Sequence, residues 1–270
     1  MKILALIPAM CALNATSALF AAQIIAHRGA SYDAPENTVL ALKLGYQQNA
    51  DAGECDIYLT KDGKIVLMHD PDTARTAGDK LIIKETDLAT LRKVEVAQWG
   101  KWKDKGFSEK VPLLEEALAV IPDGKRLFIE IKCGPEILPE LERVLRASGK
   151  KPAQTPIIGF NYETVRQAKA RMPQLEVSWL VSSDSKTKVF PPVAEIVAKA
   201  KAAKLDGLDL NYGFPIDKQF VETVKKAGLK LYTWTVDDPV VAKAEVAAGV
   251  DGITTNRPEW LRHQLTAAVP

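Results

Sequence analysis

Acidic side chains alternate with apolar ones along two short segments, a spacing that places them on one face of a β-strand. Glu54 and Asp56 are two residues apart, as are Glu130 and Lys132 in a later segment, and residues two apart in a strand share a face. Charged groups inside a strand are costly unless they are paired or bind an ion, and oxygen ligands suit Mg²⁺ or Ca²⁺. We therefore expect a divalent-cation site formed by Glu54, Asp56 and Glu130. The alternative is a salt-bridged interior in which Lys132 and a protonated His69 neutralise these acids.

Two histidines lie where strands are expected to end. His27 is followed by Arg28-Gly29, and His69 is followed by Asp70-Pro71. Near neutral pH an imidazole accepts a proton and an imidazolium releases one. Two histidines facing one substrate could therefore act as general base and general acid, whereas the alternative for each is a structural hydrogen bond.

The segment around the first histidine also suggests a binding site for phosphate. Arg28 offers a planar guanidinium suited to phosphate oxygens, and Lys132 adds a point charge. Together with a cation they would neutralise a phosphodiester, and such electrostatic stabilisation supplies most of the catalysis of phosphoryl transfer. Asn37 or Thr38 can cap the helix that follows, and Glu36 either complements the dipole of that helix or orients Arg28.

Strands and helices alternate along the chain and must position these side chains. The expected strands are Gln23–His27, Gly53–Leu59, Arg126–Lys132, Pro156–Phe160, Val177–Val181, Gly207–Asn211, Lys230–Val236 and Gly252–Thr254. The clearest helices between them are Leu114–Val120, Pro139–Ala147, Glu163–Arg171, Val193–Ala203, Ile216–Ala227 and Pro239–Ala248. Eight such units in about 250 residues predict an α/β fold of the (β/α)₈ TIM-barrel type, with chemistry at the carboxyl ends of the strands. A doubly wound parallel sheet is the alternative.

A β-hairpin interrupts this alternation after the second strand. Asp62-Gly63 between two alternating segments predicts a two-residue turn, with Lys64–His69 as a ninth strand. In that register Asp56 lies directly opposite His69, with Cβ atoms ~5 Å apart. A shift of one residue would place the two side chains on opposite faces.

Two further features bear on access to the expected mouth of the barrel. Residues 71–111 show little periodicity and form a charged insertion. On a barrel this insertion would lie over the mouth and shape substrate access, or it would form a surface excursion with its own small core. Trp234 lies on the seventh barrel strand, where it faces either the lumen or the outer core.

The N-terminal segment has the pattern of a secretory signal peptide. Residues 1–22 begin with Lys2, continue through the apolar segment Ile3–Leu13 and end in small residues. A membrane anchor is the alternative, but the apolar segment falls short of the roughly 20 residues that a span requires. We therefore expect an exported protein, periplasmic or secreted, whose barrel domain occupies residues 23–270. Cys55 and Cys133 remain in that domain, and we favour two buried thiols over a disulfide.

The composition excludes several classes of protein. Hydrophobic residues make up 47% and charged residues 26% of the chain, which is typical of a globular protein and not of a disordered or collagen-like one. The formal net charge of +2 provides no large positive surface for nucleic acid. No segment after residue 22 is expected to insert stably into a membrane, and the oligomeric state stays open.

The ordered set of motifs resembles the glycerophosphodiester phosphodiesterase family. The matching motifs are His27-Arg28-Gly29, Pro35-Glu36-Asn37-Thr38, Glu54-x-Asp56, Asp62-Gly63, His69-Asp70, Glu130-x-Lys132, Trp234-Thr235-Val236 and Gly249-Val250-Asp251-Gly252. The resemblance covers essentially the whole chain after residue 22. It implies a metal-dependent barrel enzyme that hydrolyses small glycerophosphodiesters to glycerol 3-phosphate and an alcohol.

The resemblance also implies roles for individual residues. His27 and His69 would be the acid–base pair. The metal ligands would be Glu54, Asp56 and Glu130, with Mg²⁺ or Ca²⁺ as the cation. Arg28 and Lys132 would lie near the phosphate, and Trp234 near the substrate, with Glu36 and Asn37 in support. The family further suggests that a free hydroxyl of the glycerol attacks first and gives a cyclic phosphate.

Two departures from the family pattern bear on substrate choice. Gly159-Phe160-Asn161 stands where the family often has Ser-Phe, and Thr255-Asn256 stands where it often has Thr-Asp. One alternative function is a related barrel phosphodiesterase that acts on lysophospholipids at a membrane surface, which would need an apolar rim at the mouth. Another is a non-catalytic phosphodiester-binding protein, against which the two histidines argue, because binding alone needs no acid–base pair.

Overall fold

Eight parallel strands close into a barrel in the computed structural model, which describes residues 22–184, 186–187 and 189–266. The strands are β1 (Gln23–Ala26), β2 (Ala52–Leu59), β3 (Ile65–Leu67), β4 (Arg126–Ile131), β5 (Ile157–Gly159), β6 (Val177–Val181), β7 (Gly207–Asn211), β8 (Lys230–Trp234) and β9 (Gly252–Thr255). β1 pairs with β2 on one side and with β9 on the other, which closes the sheet. The predicted TIM barrel is confirmed, and the closed sheet excludes the doubly wound alternative.

Helices connect successive strands of the barrel. They are α1 (Val39–Gln47), α2 (Ala74–Ala77), α3 (Leu88–Leu91), α4 (Leu114–Ala119), α5 (Leu138–Ala147), α6 (Tyr162–Arg171), α7 (Val193–Ala202), α8 (Lys218–Lys226), α9 (Pro239–Ala248) and α10 (Pro258–Thr266). Short 3₁₀ turns lie at Ile83–Glu85, Gly100–Trp102, Pro135–Ile137 and Pro152–Gln154. The expected strands and helices are all present, and their ends differ from prediction by at most two residues.

The period-two alternation of each strand divides the core into two layers. On β4, Ile129 belongs to the large core between strands and helices, whereas Phe128 packs inside the barrel against Tyr232. The same alternation turns Glu54 and Asp56 away from the outer core that holds Cys55. The parallel register then pairs Asp56 with Glu130, so the two acids lie side by side at one level of the barrel.

A network of charged side chains lies beneath the apolar layer, at the amino ends of the strands. Arg126 Nη2 lies 2.7 Å from Glu176 Oε2, and the Tyr232 hydroxyl donates to Glu176 Oε1 at 2.6 Å. Burial opposes the ionisation of Glu176, but Arg126 and Lys230 outweigh it and lower the pKa of this carboxyl. These ion pairs neutralise the half-buried Arg126 and Glu176 at the end of the barrel opposite the carboxyl ends of the strands.

The predicted register of the hairpin is wrong by one residue. β2 and β3 are antiparallel with Ile57 paired to Leu67. Asp56 therefore lies opposite Met68, whose backbone N–H donates to the carbonyl of Asp56 at 3.1 Å, and not opposite His69. β3 itself is shorter than the expected Lys64–His69 strand.

The physical reason for this difference is a loop of three residues instead of two. The backbone N–H of Thr60 donates to the carbonyl of Lys64 at 2.8 Å, which leaves residues 61–63 as the loop. Gly63 has φ +72°, the left-handed conformation that ends a type I turn with a bulge. The hydroxyl of Thr60 accepts from the Lys64 N–H and donates to Asp62, and these two bonds stabilise the longer loop.

The insertion at residues 71–111 has the small core of its own that one alternative expected. Ile83, Leu91 and Val96 are buried in a separate small core with Val66 and Met68 of the hairpin. One of its side chains, that of Arg75, reaches Glu36 and Asp70 at the carboxyl ends of the strands. The insertion therefore packs on the hairpin and also contributes to the edge of the mouth.

The remaining expectations concern the chain ends and the cysteines. The expected signal peptide lies outside the described residues except for Ala22. Across the residues that the structure describes, no helix has both the length and the apolar character needed to cross a membrane. Cys55 and Cys133 are both free, with Cys55 buried and Cys133 half-buried, which agrees with the preference for two thiols.

Candidate active site

One cavity at the carboxyl ends of the strands gathers most of the residues that the sequence predicts to be functional. Its lining includes His27, Arg28, Glu54, His69, Glu130, Lys132 and Trp234. Glu36 and Asp56 pair with Arg28, and the Asn37 amide donates to Asp56. All ten predicted site residues therefore lie in one place.

The connection between β1 and α1 holds Arg28 in position. Its backbone N–H donates to Glu54 Oε2 at 2.7 Å, and its guanidinium donates to Glu36 Oε1 at 2.9 Å. Arg28 and Gly29 both have positive φ, of +54° and +81°. Thr38, and not Asn37, caps α1, because its hydroxyl accepts from the Ala41 N–H at 3.0 Å. Because the Arg28 guanidinium bonds Glu36, the alternative in which Glu36 orients Arg28 agrees with the structure.

Three carboxylates meet on β2 and β4. Glu54, Asp56 and Glu130 are buried, and each offers an oxygen within 4.8 Å of the others. The amide of Asn37 donates to Asp56 Oδ2 at 2.8 Å and accepts from the Asp56 N–H at 3.0 Å. Lys132 Nζ lies 2.7 Å from Glu130 and 3.4 Å from Asp56, so one pair expected of a salt-bridged interior is present.

The cations in this cluster do not balance its acids. Burial opposes ionisation of Asp56, but Arg28 and Lys132 outweigh it and lower its pKa. Burial and the charge of Asp56 raise the pKa of Glu130 to about 7, and burial with both neighbouring carboxylates raises that of Glu54. Glu54 Oε1 is buried and accepts no hydrogen bond from the described residues. A free carboxylate oxygen among mutually repelling acids fits a divalent cation.

The hydrogen bonds around His27 fix its tautomer. His27 Nδ1 lies 2.7 Å from Asn256 Oδ1. The amide nitrogen of Asn256 donates to Asp237 Oδ2 at 2.6 Å, so the amide oxygen is the atom that faces the histidine. Nδ1 therefore donates, and Nε2 carries the free lone pair. Burial and the charge of Arg28 lower the pKa of His27 to about 4, which keeps the ring neutral.

His69 has a charged partner instead. Its Nδ1 lies 2.8 Å from Asp70 Oδ1, and Asp70 Oδ2 accepts from Arg75 Nε at 2.6 Å. Burial opposes ionisation of Asp70, but the hydrogen bonds from His69 and Arg75 outweigh it and lower its pKa. The bond to Asp70 fixes the orientation of the His69 ring, which lines the cavity beside the acidic cluster. It pairs with Asp70, and not with Asp56 as the salt-bridged alternative required.

Aromatic side chains line the opposite part of the cavity. Trp234 faces the lumen, where its indole N–H donates to the carbonyl of Asp209 at 3.2 Å. Phe160 meets the Trp234 ring edge to face, with centroids 5.3 Å apart. The cavity thus has a charged wall formed by β1, β2 and β4 and a mostly apolar wall formed by β5 to β8.

Sequence reasoning missed three residues at this site and recognised a fourth, Asn256, only as a departure from the family pattern. Asp209 could have been found by the alternation that identified Glu54, because Leu208 and Leu210 flank it on β7. Asp237 and Asn256 follow β8 and β9 in loops, where no period indicates which side chains meet. Arg75 lies in the aperiodic insertion and has no signal in the sequence.

Comparisons with known proteins agree with the geometry. The model of the glycerophosphoryl diester phosphodiesterase family matches residues 27–260. A glycerophosphodiester phosphodiesterase of Caldanaerobacter subterraneus is 33% identical over 243 residues, which cover 88% of this chain and 95% of that protein. One from Bacillus subtilis is 31% identical over 251 residues, covering 87% and 83%. The structure of an Oleispira antarctica phosphodiesterase in complex with the product sn-glycerol-3-phosphate has a TM-score of 0.80 at 29% identity, covering 92% of this chain and 98% of that chain.

Proposed function

The chain belongs to the glycerophosphoryl diester phosphodiesterase family, and we propose that it hydrolyses glycerophosphodiesters to glycerol 3-phosphate and an alcohol with a divalent cation and a histidine pair. The observation that carries this proposal is the pairing of two unlike histidines with an acidic cluster in one cavity. His27 has a neutral partner in Asn256, and His69 has a charged one in Asp70. The hydrogen bond from His27 Nδ1 to Asn256 leaves Nε2 with a free lone pair that can accept a proton, and His69 is the second imidazole of the cavity, which would donate one.

The charged wall of the cavity suits a phosphodiester. Glu54, Asp56 and Glu130 would hold Mg²⁺ or Ca²⁺, which when bound polarises a phosphoryl oxygen. Arg28 and Lys132 supply the cationic groups beside this cluster and would neutralise the remaining phosphate charge. Both cations are held by carboxylates, so little reorganisation is needed when the substrate binds.

The two histidines would move the protons of the reaction. His27 Nε2 accepts the proton of the attacking hydroxyl, and His69 donates a proton to the oxygen of the leaving alcohol as its bond to phosphorus breaks. When the attacking group is a hydroxyl of the substrate's own glycerol, a cyclic phosphate results. The pair then reverses its roles so that water can open the ring.

Substitution of the histidines tests this assignment. We expect His27→Ala and His69→Ala each to lower kcat for glycerophosphocholine by about 10²–10⁴-fold, because each variant loses one proton transfer. His263→Ala is the matched control, since His263 is exposed on α10 and should keep full activity. Circular dichroism and thermal unfolding would show that the variants fold. Near-normal turnover in either folded cavity variant would contradict the acid–base roles.

A second substrate class is favoured by the rim of the mouth. The exposed large hydrophobic residues of the described chain all follow barrel strands at their carboxyl ends: Tyr32, Phe160, Val189, Tyr212 and Val240. Four of them follow β5 to β8, which are neighbours in the barrel. An apolar arc on this side would suit a lysophospholipid. The same assays with lysophosphatidylcholine decide between the two classes, since a higher kcat/KM for the lipid would favour the second.

A further inference from the structure

A buried carboxyl on the apolar wall has no part in the mechanism above. Asp209 lies on β7 and is 1% exposed. It lines the same cavity as the two histidines. Its register neighbours are Leu180 on β6 and Tyr232 on β8, both apolar lumen residues. Its Oδ1 has no hydrogen-bond partner among the residues that the structure describes.

The groups around Asp209 do not stabilise its carboxyl group. Burial and the negative charge of Glu130 both raise its pKa, and no cation offsets them. Glu245 differs, because that buried carboxyl accepts a hydrogen bond from the Thr233 hydroxyl at 2.7 Å. A buried polar group without a partner destabilises a fold, so its presence at the wall of a cavity indicates a partner that arrives with the ligand.

The position of Asp209 identifies the part of the ligand that it would meet. β7 lies across the barrel from β2, which carries Glu54 and Asp56. A phosphodiester bound at the charged wall would therefore direct one of its two substituents toward Asp209. Ile158 and Leu180 line this part of the cavity and offer no hydrogen bonds to a hydroxyl group.

We propose that Asp209 is a specificity-determining residue whose carboxyl group hydrogen-bonds the free hydroxyl groups of the substrate's glycerol moiety. The inference rests on the proposed function, because it presumes that a glycerophosphodiester occupies the cavity. Asparagine at this position can also donate and accept hydrogen bonds, whereas leucine of similar shape can do neither. A site built to bond a hydroxyl discriminates strongly against an analogue that lacks it.

Two phosphate monoesters of similar size measure this discrimination. We would determine inhibition constants for sn-glycerol 3-phosphate and for n-propyl phosphate, which lacks both hydroxyls, with the metal-loaded enzyme and glycerophosphocholine as substrate. In the wild type, glycerol phosphate should bind about 10-fold more tightly or better. In Asp209→Leu the preference should fall to about 2-fold or less, and Asp209→Asn should retain most of it.

Ser178→Ala provides a matched control. Ser178 is a buried polar residue on the adjacent strand whose Oγ also lacks a partner among the described residues, and it packs against Gly207 one level below Asp209. This variant should keep the wild-type preference. Thermal unfolding distinguishes a role of Asp209 in ligand binding from a role in stability. If it acts in binding, Asp209→Leu should be at least as stable as the wild type, because an unpartnered buried carboxyl has been removed.

Three results would overturn the inference. In the first, Asp209→Leu keeps the wild-type preference for glycerol phosphate over propyl phosphate. In the second, Asp209→Asn loses as much of this preference as Asp209→Leu does. In the third, Ser178→Ala loses it to the same extent. A wild-type enzyme that hydrolyses no glycerophosphodiester with either cation would instead refute the proposed function. The two failures are thus distinguishable.

Discussion

At the scale of single residues, the two histidines show how a partner sets the chemistry of an imidazole. Asn256 presents a neutral oxygen to His27, whereas Asp70 presents a carboxylate to His69. The amide of Asn256 cannot flip without losing its bond to Asp237, which holds both the backbone and the side-chain nitrogen of Asn256. Asp237 therefore positions His27 without touching it.

Asn256→Asp tests the effect of that neutral partner. In the wild type the pKa of His27 is lowered to about 4, so the acid limb of kcat/KM should lie well below pH 6.5. In Asn256→Asp a carboxylate at Nδ1 favours the imidazolium form of His27. The acid limb of the kcat/KM profile should therefore move up by about 1–2 pH units. Ser31→Ala is the control, because the Ser31 hydroxyl also bonds Asn256 Oδ1 but carries no charge. Superimposable pH profiles for wild type and Asn256→Asp would refute the argument.

Some of these residues could be predicted from the sequence and others could not. Glu54, Asp56 and Glu130 were predicted from strand alternation, because the period of two survives in the fold. Asn256 stood out only as a departure from a family pattern, and its link to Asp237 depends on how two loops meet. Local spacing carries no information about such a meeting.

At the scale of elements, the connection from β1 to α1 is packed so closely that one glycine is obligatory. Gly29 has φ +81°, and a Cβ added there would lie 2.3 Å from the backbone carbon of Ala41 on α1. Gly63 in the hairpin has a similar φ of +72°, but nothing lies within 4 Å of its Cβ position. The two glycines therefore share the same backbone constraint and differ in packing.

Alanine at each position separates these two effects. Gly63→Ala should lower the free energy of unfolding by about 1–2 kcal/mol, the cost of a left-handed non-glycine residue. Gly29→Ala should cost about 3 kcal/mol or more, because overpacking adds to that strain, and it should lower kcat/KM by displacing Arg28. Urea unfolding and steady-state kinetics measure both. Equal destabilisation by the two variants would show that packing against α1 does not matter.

The hairpin shows why an element can be predicted while its register is not. The Asp62-Gly63 pair correctly indicated a turn, and β2 and β3 do pair. The hydroxyl of Thr60 bonds Asp62 in the loop and the N–H of Lys64 just after it, which stabilises one more loop residue than the dipeptide rule assumes. His69 still reaches the cavity, because Asp70 and Arg75 hold its ring there.

At the scale of the whole molecule, closure of the barrel brings distant segments to one mouth. Eight strand–helix units in about 250 residues favoured this closure over a doubly wound sheet, and the structure confirms it. The insertion was harder to predict, because its core uses scattered residues such as Ile83 and Val96 with no common period. Its contribution through Arg75 depends on the tertiary fold alone.

Closure of the barrel also brings the acidic side chains together, and the stability of the molecule therefore depends on the bound cation and on pH. The pKa of Glu54 and that of Glu130 are raised above the unfolded value near 4.5, so these two groups bind more protons in the metal-free native state than in the unfolded state above that pH. Their contribution to metal-free stability should therefore fall as the pH rises from about 4.5 through 7, whereas the lowered pKa of His27 acts in the opposite direction only below its unfolded value near 6.5. A cation that binds only the native state reverses this loss, by about 2.7 kcal/mol at 100 times its Kd.

Thermal unfolding at pH 8, with EDTA or with Mg²⁺ or Ca²⁺, measures this linkage. For the wild type we expect an upward shift in Tm of about 5–10 °C with cation and loss of activity after exhaustive chelation. Glu54→Gln should unfold at a higher temperature than the wild type in EDTA, because one repelling charge is gone, and should lose most of the shift. Glu245→Gln removes a buried acid whose pKa is raised to about 7 away from the cluster, so it should keep the full shift. If Glu54→Gln keeps the full rise in Tm with cation, the cation binds at another site.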